Sequence, residues 1–510
     1  MAADLRADTN STPVMPSTPP AVLGPAETRV IWLLLSAAFV AILNETTMGV
    51  AIPHLIDDLG ITAVAAQWLT TAFMLTMAVV IPITGFLIRR FTTRSMFIAA
   101  MSLFTLGTLI AFLSPGFPLL VVARVVQASG TAIMMPLLMT TLMTIVPPQS
   151  RGRMMGRVSI VMALAPAIGP TMSGLILDSL GWRWIFGIIL PIAVVALTVG
   201  ARWITNLGEN THAPIDVLSV ILSAFGFGGL VYGLSQIGGG EGGAEVSSAD
   251  AAAAGMTSTI SLVVSLSIGA VALALFIWRQ LALQRRDVAL LDLRAFRSLN
   301  FSLSIAQIGV MSLAFFGVIT LLPLYMQRVL GVSALETGLV VLPGALAMGL
   351  AGPLIGRIYD RWGTRVLLIP GSLIIVTLLW FFALTLSDTT PVWVIAIAQT
   401  ALSIGLALSF TPLFTASLGS LEPRFYSYGS AILGTVQQVA GAAGVALLIT
   451  LMSTGTASAI ADGVPEQVAG AAGAHLAFTV AAIIAMPLVV GATLIRKPAD
   501  VVGGPAGTAH

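Results

Sequence analysis

The chain has 510 residues, of which 57% are hydrophobic and only 9% charged, whereas a soluble domain carries about 25% charged residues. That much apolar surface cannot be hidden in a water-soluble core, and apolar runs of about 20 residues, enough to cross a hydrocarbon layer about 30 Å thick as helices, recur throughout. A formal net charge of +2 gives no basis for a nucleic-acid partner, and the lack of cysteine excludes disulfides, thiolate metal sites and iron–sulfur clusters.

Residues 1–28 are polar and rich in Pro, Thr and Ala, a composition expected of a disordered cytoplasmic tail rather than a cleaved secretory signal. Fourteen spans are then predicted, near 30–53, 68–88, 95–114, 117–146, 158–178, 184–201, 217–236, 257–278, 301–326, 337–356, 366–386, 391–415, 428–452 and 474–495. No two-residue alternation dominates, so the expected fold is an all-α membrane protein rather than a barrel. The expected organisation is an N-terminal six-helix bundle over 29–203, two extra helices within 204–297, a C-terminal six-helix bundle over 298–496 and a cytoplasmic tail over 497–510. The extra pair would carry a Gly/Ala-rich outside linker at 237–256 and a basic cytoplasmic linker.

Orientation follows from the charges. With both termini in the cytoplasm, every one of the 23 basic residues except Arg124, Arg183 and Arg328 falls in a cytoplasmic tail or connection, as the positive-inside rule requires. One internal repeat is visible. "GFLIRRFTTR" begins at Gly85 and "GRIYDRWGTR" at Gly356, more than half the chain apart, each closing a span and opening a short basic loop. Paired repeats around a midplane site are how many secondary transporters are built.

These residues resemble the major facilitator superfamily, and within it the fourteen-helix drug:proton antiporters. "GRIYDRWGTR" is similar to the family's loop signature G-x-x-x-D-R-x-G-x-R, with Gly356, Asp360, Arg361, Gly363 and Arg365 in place. "RVVQASG" (124–130) resembles its fourth-helix motif. "APAIGPTMSG" (165–174) resembles the fifth-helix antiporter motif through Ala165, Pro166, Gly169, Pro170 and Gly174, although Ser173 stands where a glycine is usual. The resemblance implies two six-helix bundles plus two central helices, a proton gradient in place of any cofactor, and a latch at the loop repeats. It departs from the family at two places. Helix one usually carries an aspartate directly after leucine, where Asn44 stands, and the acid here is Glu45. The first-half loop, Gly85, Arg89, Arg90 and Arg94, has Arg89 where the acid belongs and Thr92 where glycine belongs.

Glu45 breaks an otherwise apolar run, and an intramembrane carboxylate usually faces a cavity or a partner. Counted at about 1.5 Å per residue, Glu45 lies about 22 Å above the start of span one, and Arg124 about 10 Å down span four from the other side, so the two share a level. The functional reading makes Glu45 the proton-coupling acid with Arg124 orienting it, since guanidinium does not deprotonate. The plainer alternative is an acid and an arginine that only hold two helices together. Gln127, three residues past Arg124, belongs to the same face. Asn44, Gln127, Met134, Gln307, Gln437 and Gln438 are expected to line the substrate cavity. The antiporter motif is expected to give a kink and a flat surface for close packing against the other bundle. No phosphate-cradling loop or metal-spaced histidines occur, so neither ATP drive nor an enzyme is expected. The expected activity is proton-driven export of an amphipathic organic compound by a monomer in a bacterial cytoplasmic membrane, the alternatives being a proton-coupled importer or a non-transporting scaffold.

Overall fold

A computed structural model describes residues 24–206, 215–238 and 248–498. Among them lie fourteen helices long and apolar enough to span a membrane, and no strand. The first six are α1 (Pro25–Leu59), α2 (Ala63–Arg90), α3 (Thr93–Leu113), α4 (Phe117–Ile145), α5 (Arg151–Leu180) and α6 (Arg183–Trp203). The extra pair is α7 (Val217–Gly238) and α8 (Ser248–Leu283), and the second set runs α9 (Leu299–Arg328), α10 (Ala334–Trp362), α11 (Arg365–Thr385), α12 (Val392–Gly419), α13 (Tyr426–Ala461), α14 (Glu466–Ala485) and α15 (Pro487–Leu494). Of the expected tails 1–28 and 497–510 and the expected outside linker 237–256, residues 1–23, 499–510 and 239–247 lie outside the described residues, while 25–28 already belong to α1 and 248–256 to α8 rather than to a tail or a linker.

Polar side chains close the helix ends where the sequence supplies them. Thr62 and Thr92 accept the Ala65 and Ser95 amides that open α2 and α3, and Ser333 with Glu336 forms a capping box at α10. Gly363 stops α10 at φ +82°, a conformation that L side chains rarely adopt, which accounts for the glycine in the second loop. The last span is two helices rather than one. Pro487 has no N–H to continue α14, and Gln307 of α9 donates to the Leu488 carbonyl at 3.2 Å beside the break.

Helices α1–α6 pack on one another, as do α9–α15, and the two sets meet along two seams, α5 against α10 and α2 against α13. Helix α7 lies over the second seam, touching both α2 and α13, while α8 packs on α7. The end of the molecule that carries the loops near Arg89, Arg151, Arg285 and Arg361 is called the basic end below.

Candidate functional site

Glu45 sits in mid-helix with its side chain partly exposed, between buried Asn44 and buried Thr47. The lipid-facing stripe of α1 carries exposed Trp32 and Ser36. Nine residues beyond Ser36, at about 100° per residue, the helix has turned by about 180°, so Glu45 looks into the protein. It makes no hydrogen bond, and no ion pair within 4.0 Å, among the described residues. Thr46 donates to the Leu43 carbonyl at 3.0 Å and Thr47 to that of Asn44 at 2.9 Å, so the neighbouring hydroxyls serve the helix rather than the carboxylate.

Arg124 of α4 is 1% exposed. Its Nη1 donates to Gln127 Oε1 at 2.6 Å and its Nε to the Leu69 carbonyl of α2 at 3.4 Å, and the guanidinium lies 4.1 Å from the centre of the Phe73 ring. Gln127 Nε2 in turn donates to Thr108 Oγ1 of α3 at 2.8 Å. Three helices thus hold the cation without neutralising it. Its charge and that of Glu45 are close enough to interact, yet the arginine's hydrogen bonds go elsewhere. Arg124 therefore does not grip the Glu45 carboxylate. Glu45 is thus a carboxyl with no fixed partner on the same bundle as a buried arginine.

Several expected cavity residues are placed elsewhere. Gln127 is fully buried and committed at both ends, because a buried arginine needs acceptors more than the cavity needs an amide. Met134 is buried in the core. Gln307 is tied to the chain around Pro487, and Gly491 leaves the room for it, since a Cβ there would come within 1.5 Å of the Gln307 amide nitrogen. Asn44 is fully buried, with neither amide atom partnered. Gln437 and Gln438 remain partly exposed on α13. The antiporter motif also faces differently. Gly169 packs on Thr46 of α1, where a Cβ would lie 2.2 Å from Thr46 Oγ1, and Ser173 donates to the Thr47 carbonyl at 2.9 Å. The motif thus supports the Glu45 turn within its own bundle, with Ala165 buried, Pro166 half-buried, and Gly174 facing open space.

Contact with the other bundle comes from the inner half of α5, including residues 151–157, which lie before the span expected at 158–178. Gly152 and Gly156 face Gly356 and Gly352. A Cβ on Gly156 would meet the Gly352 oxygen at 2.2 Å, and one on Gly356 would meet the Gly152 oxygen at 2.1 Å. The signal was present in the sequence: Gly152 and Gly156, and again Gly352 and Gly356, have the four-residue glycine spacing that lets membrane helices touch backbone to backbone.

The same end is bolted by polar contacts between the bundles. Asp360 accepts the Gly152 and Arg153 amides at 2.7 and 2.9 Å, so the carboxylate of α10 caps the start of α5, where the helix dipole favours an anion. Arg89 Nη1 donates to Tyr428 Oη at 2.9 Å with its guanidinium 5.0 Å from the ring centre, and Arg151 Nη2 donates to Tyr426 Oη at 3.2 Å. Thr140 and Ser430 share a bond of 2.8 Å, as Ser159 and Thr411 do at 2.7 Å. Arg90 and Arg361 lie in the last turns of α2 and α10, beside Phe91 and Trp362, and Arg94 and Arg365 in the first turns of α3 and α11. A recess of about 1230 Å³ opens at this end among the start of α9, the end of α12 and residues 494–498, remote in sequence and element from Glu45. At the opposite end α5 and α10 part: nothing lies within 4 Å of a Cβ placed on Gly174 or Gly338, and Leu175 and Leu335 are 69% and 73% exposed. Along the α5–α10 seam the two bundles thus touch at the basic end and part at the other.

Residues 34–445 match the family model described as Major Facilitator Superfamily. The chain is 39% identical over 470 residues to the lincomycin resistance protein LmrB of Bacillus subtilis, covering 91% of this chain and 95% of that one. It is 42% identical to an uncharacterized MFS-type transporter, YcnB, of the same organism, covering 92% and 95%. A multidrug resistance protein B homolog of Mycobacterium tuberculosis is 29% identical, covering 83% and 76%. Among solved structures, the human organic anion transporter MFSD10 superposes with a TM-score of 0.59 at 13% identity, covering 92% of this chain and all of that one. FucP in the outward conformation does so with a TM-score of 0.56 at 15% identity, covering 91% and 99%.

Proposed function

The chain belongs to the Major Facilitator Superfamily, and from that premise we propose that it is a proton-driven antiporter exporting amphipathic organic compounds by alternating access between its two bundles. The observation that carries the reading is Glu45, a carboxyl turned away from the lipid-facing stripe of α1, partly exposed, without a fixed partner and within the field of buried Arg124. With the basic end in the cytoplasm, as the arginine distribution implies, the described state faces outward, so Glu45 takes a proton from outside. Closing the outer halves of α5 and α10 and parting their inner halves carries it to the cytoplasm. There, loss of the proton restores the charge and readies the cavity for substrate. The relatives named for lincomycin and multidrug resistance support export over import.

The test is uptake of a panel of cationic and neutral dyes by everted vesicles with an imposed acid interior. Glu45→Gln removes the titrating group while keeping its size and hydrogen-bonding capacity. Dye accumulation against its gradient is expected in the parent and lost in the variant, with dye binding retained. Accumulation at the parental level in the variant would show that Glu45 is not the coupling acid.

A further inference from the structure

The connection between α8 and α9 has the composition of a basic, solvent-facing tether, yet its central residues Ala289, Leu290, Leu291 and Asp292 are 2%, 1%, 4% and 2% exposed. A buried loop must find partners for its backbone, and here two come from the helices α13 and α8. Tyr428 of α13 donates its hydroxyl to the Ala289 carbonyl at 3.3 Å while accepting from Arg89 of α2. Gln280 of α8, fully buried, accepts the Leu291 amide at 3.1 Å and donates to Ser219 Oγ of α7 at 2.7 Å. Ser219 leads on to Asp216, which is paired with Arg279 through bonds of 2.7 and 2.8 Å. That arginine is the main cause of an Asp216 carboxyl held down at about 2, so the pair stays ionised at physiological pH.

A hydrogen-bonded path therefore runs from α2 through Tyr428 to the connection, and from there through Gln280 to the α7–α8 pair. The pair is itself seated on the moving seam. Ala78 of α2, Val231 of α7 and Ala442 of α13 form one buried cluster, and Trp68 of α2 stacks on Tyr232 of α7 at 5.8 Å. Opening the basic end separates Arg89 from Tyr428, and the hydroxyl is then left with the connection alone.

We infer that the connection 284–297 is a working part of the basic-end gate, and that Tyr428 is the positioning residue through which the α7–α8 pair biases closure. The two extra helices then stabilise the closed basic end rather than merely joining the bundles. This rests on the alternating-access reading above, but its test does not require transport. The parent contains no cysteine, so Ser430→Cys, placed in the closed seam beside Thr140, reports opening. Its labelling by an impermeant maleimide is measured in everted vesicles without gradient or dye.

Tyr428→Phe keeps the ring over which Arg89 lies and removes both hydroxyl bonds. Gln280→Leu touches neither bundle and removes the anchor of the connection. Each is expected to raise the labelling rate about two- to thirtyfold, the range for one or two net hydrogen bonds. Because both act on one path, the double variant is expected to fall short of the product of the two. Parental labelling in Gln280→Leu, or a double variant equal to the product, overturns the inference. Should Gln280→Leu fail to reach the membrane, Gln280→Glu, which keeps an acceptor for Leu291 and loses the donor to Ser219, is judged by the same criterion. A chain that exports no dye still reports on this gate, so failure of the functional reading and failure of this one are separable.

Discussion

The two loop repeats do the same job with opposite charges, and the difference lies as much in the helix that receives them as in the loop itself. In the second half Asp360 reaches the backbone amides at the start of α5, which is possible because Gly152 has no side chain: a Cβ there would sit 2.4 Å from Asp360 Oδ1. In the first half the receiving helix, α13, begins Tyr426-Ser427-Tyr428, and two aromatic rings stand where the glycine surface would be. An acid would meet a ring's negative face there, whereas an arginine can lie over it and donate to its hydroxyl. Arg89 in place of the acid is thus matched by Tyr428 in place of open backbone. The turn residues follow the same division, with Gly363 in a left-handed conformation after α10 and Thr92 in an extended one, capping α3, after Phe91. An internal repeat preserves geometry more readily than it preserves chemistry.

The comparison can be broken most severely at the glycine seam. Gly356→Val places a branched side chain against the Gly152 carbonyl, with no room for α5 and α10 to close, and strain of this kind costs on the order of 1–3 kcal/mol or more. Export is expected to fall at least a hundredfold while the chain still reaches the membrane, with Ser430→Cys labelled freely from the basic side. Export at the parental rate would mean that this seam is not the closing surface.

A smaller effect is expected from Asp360→Asn, which keeps the size and one acceptor but loses a charge that two backbone amides and a helix dipole stabilise. Bonds to charged groups are worth about 1.5–3 kcal/mol and neutral ones about 0.5–1.5 kcal/mol, so exchanging one for the other costs about 1–2 kcal/mol, and the closed state is expected to lose roughly five- to thirtyfold in population, read as faster labelling of the seam. Arg89→Asn gives up one hydrogen bond and one cation–ring contact, together on the order of 1 kcal/mol, and a two- to fivefold change is expected. Equal effects at the two positions would sink the idea that the carboxylate holds the stronger latch. A larger effect at Arg89 would place the main latch on α13.

Much of the architecture is legible in the sequence. Span number followed from apolar run length, because a helix in lipid must satisfy its own backbone and so shows as an uninterrupted stretch. Glu45 and Arg124 stood out because charge in such a stretch is rare. At the site the differences concern what a polar or small residue faces. Gln127, Met134 and Gln307 are polar or flexible groups on apolar helices, and run length says nothing of their azimuth; the first serves Arg124 and the last the break at Pro487. For the same reason the sequence points Gly169 at the other bundle although it packs on Thr46 of its own, and the Gly152 and Gly156 spacing is masked by the arginines around it.

Sequence alone therefore determined the number of spans, the presence of one deep acid and one deep arginine, and the repeat that ties the two halves. Each is a property of one segment in one solvent, set by hydrophobic transfer and helix length. Only the tertiary structure decided that Arg124 leaves Glu45 unpaired, that two glycine pairs rather than the antiporter motif join the bundles, and that the connection before α9 is buried. Those depend on which faces meet across hundreds of residues, where the placement of a hydrogen-bond partner or a missing Cβ is settled by the packing of whole helices rather than by any local preference.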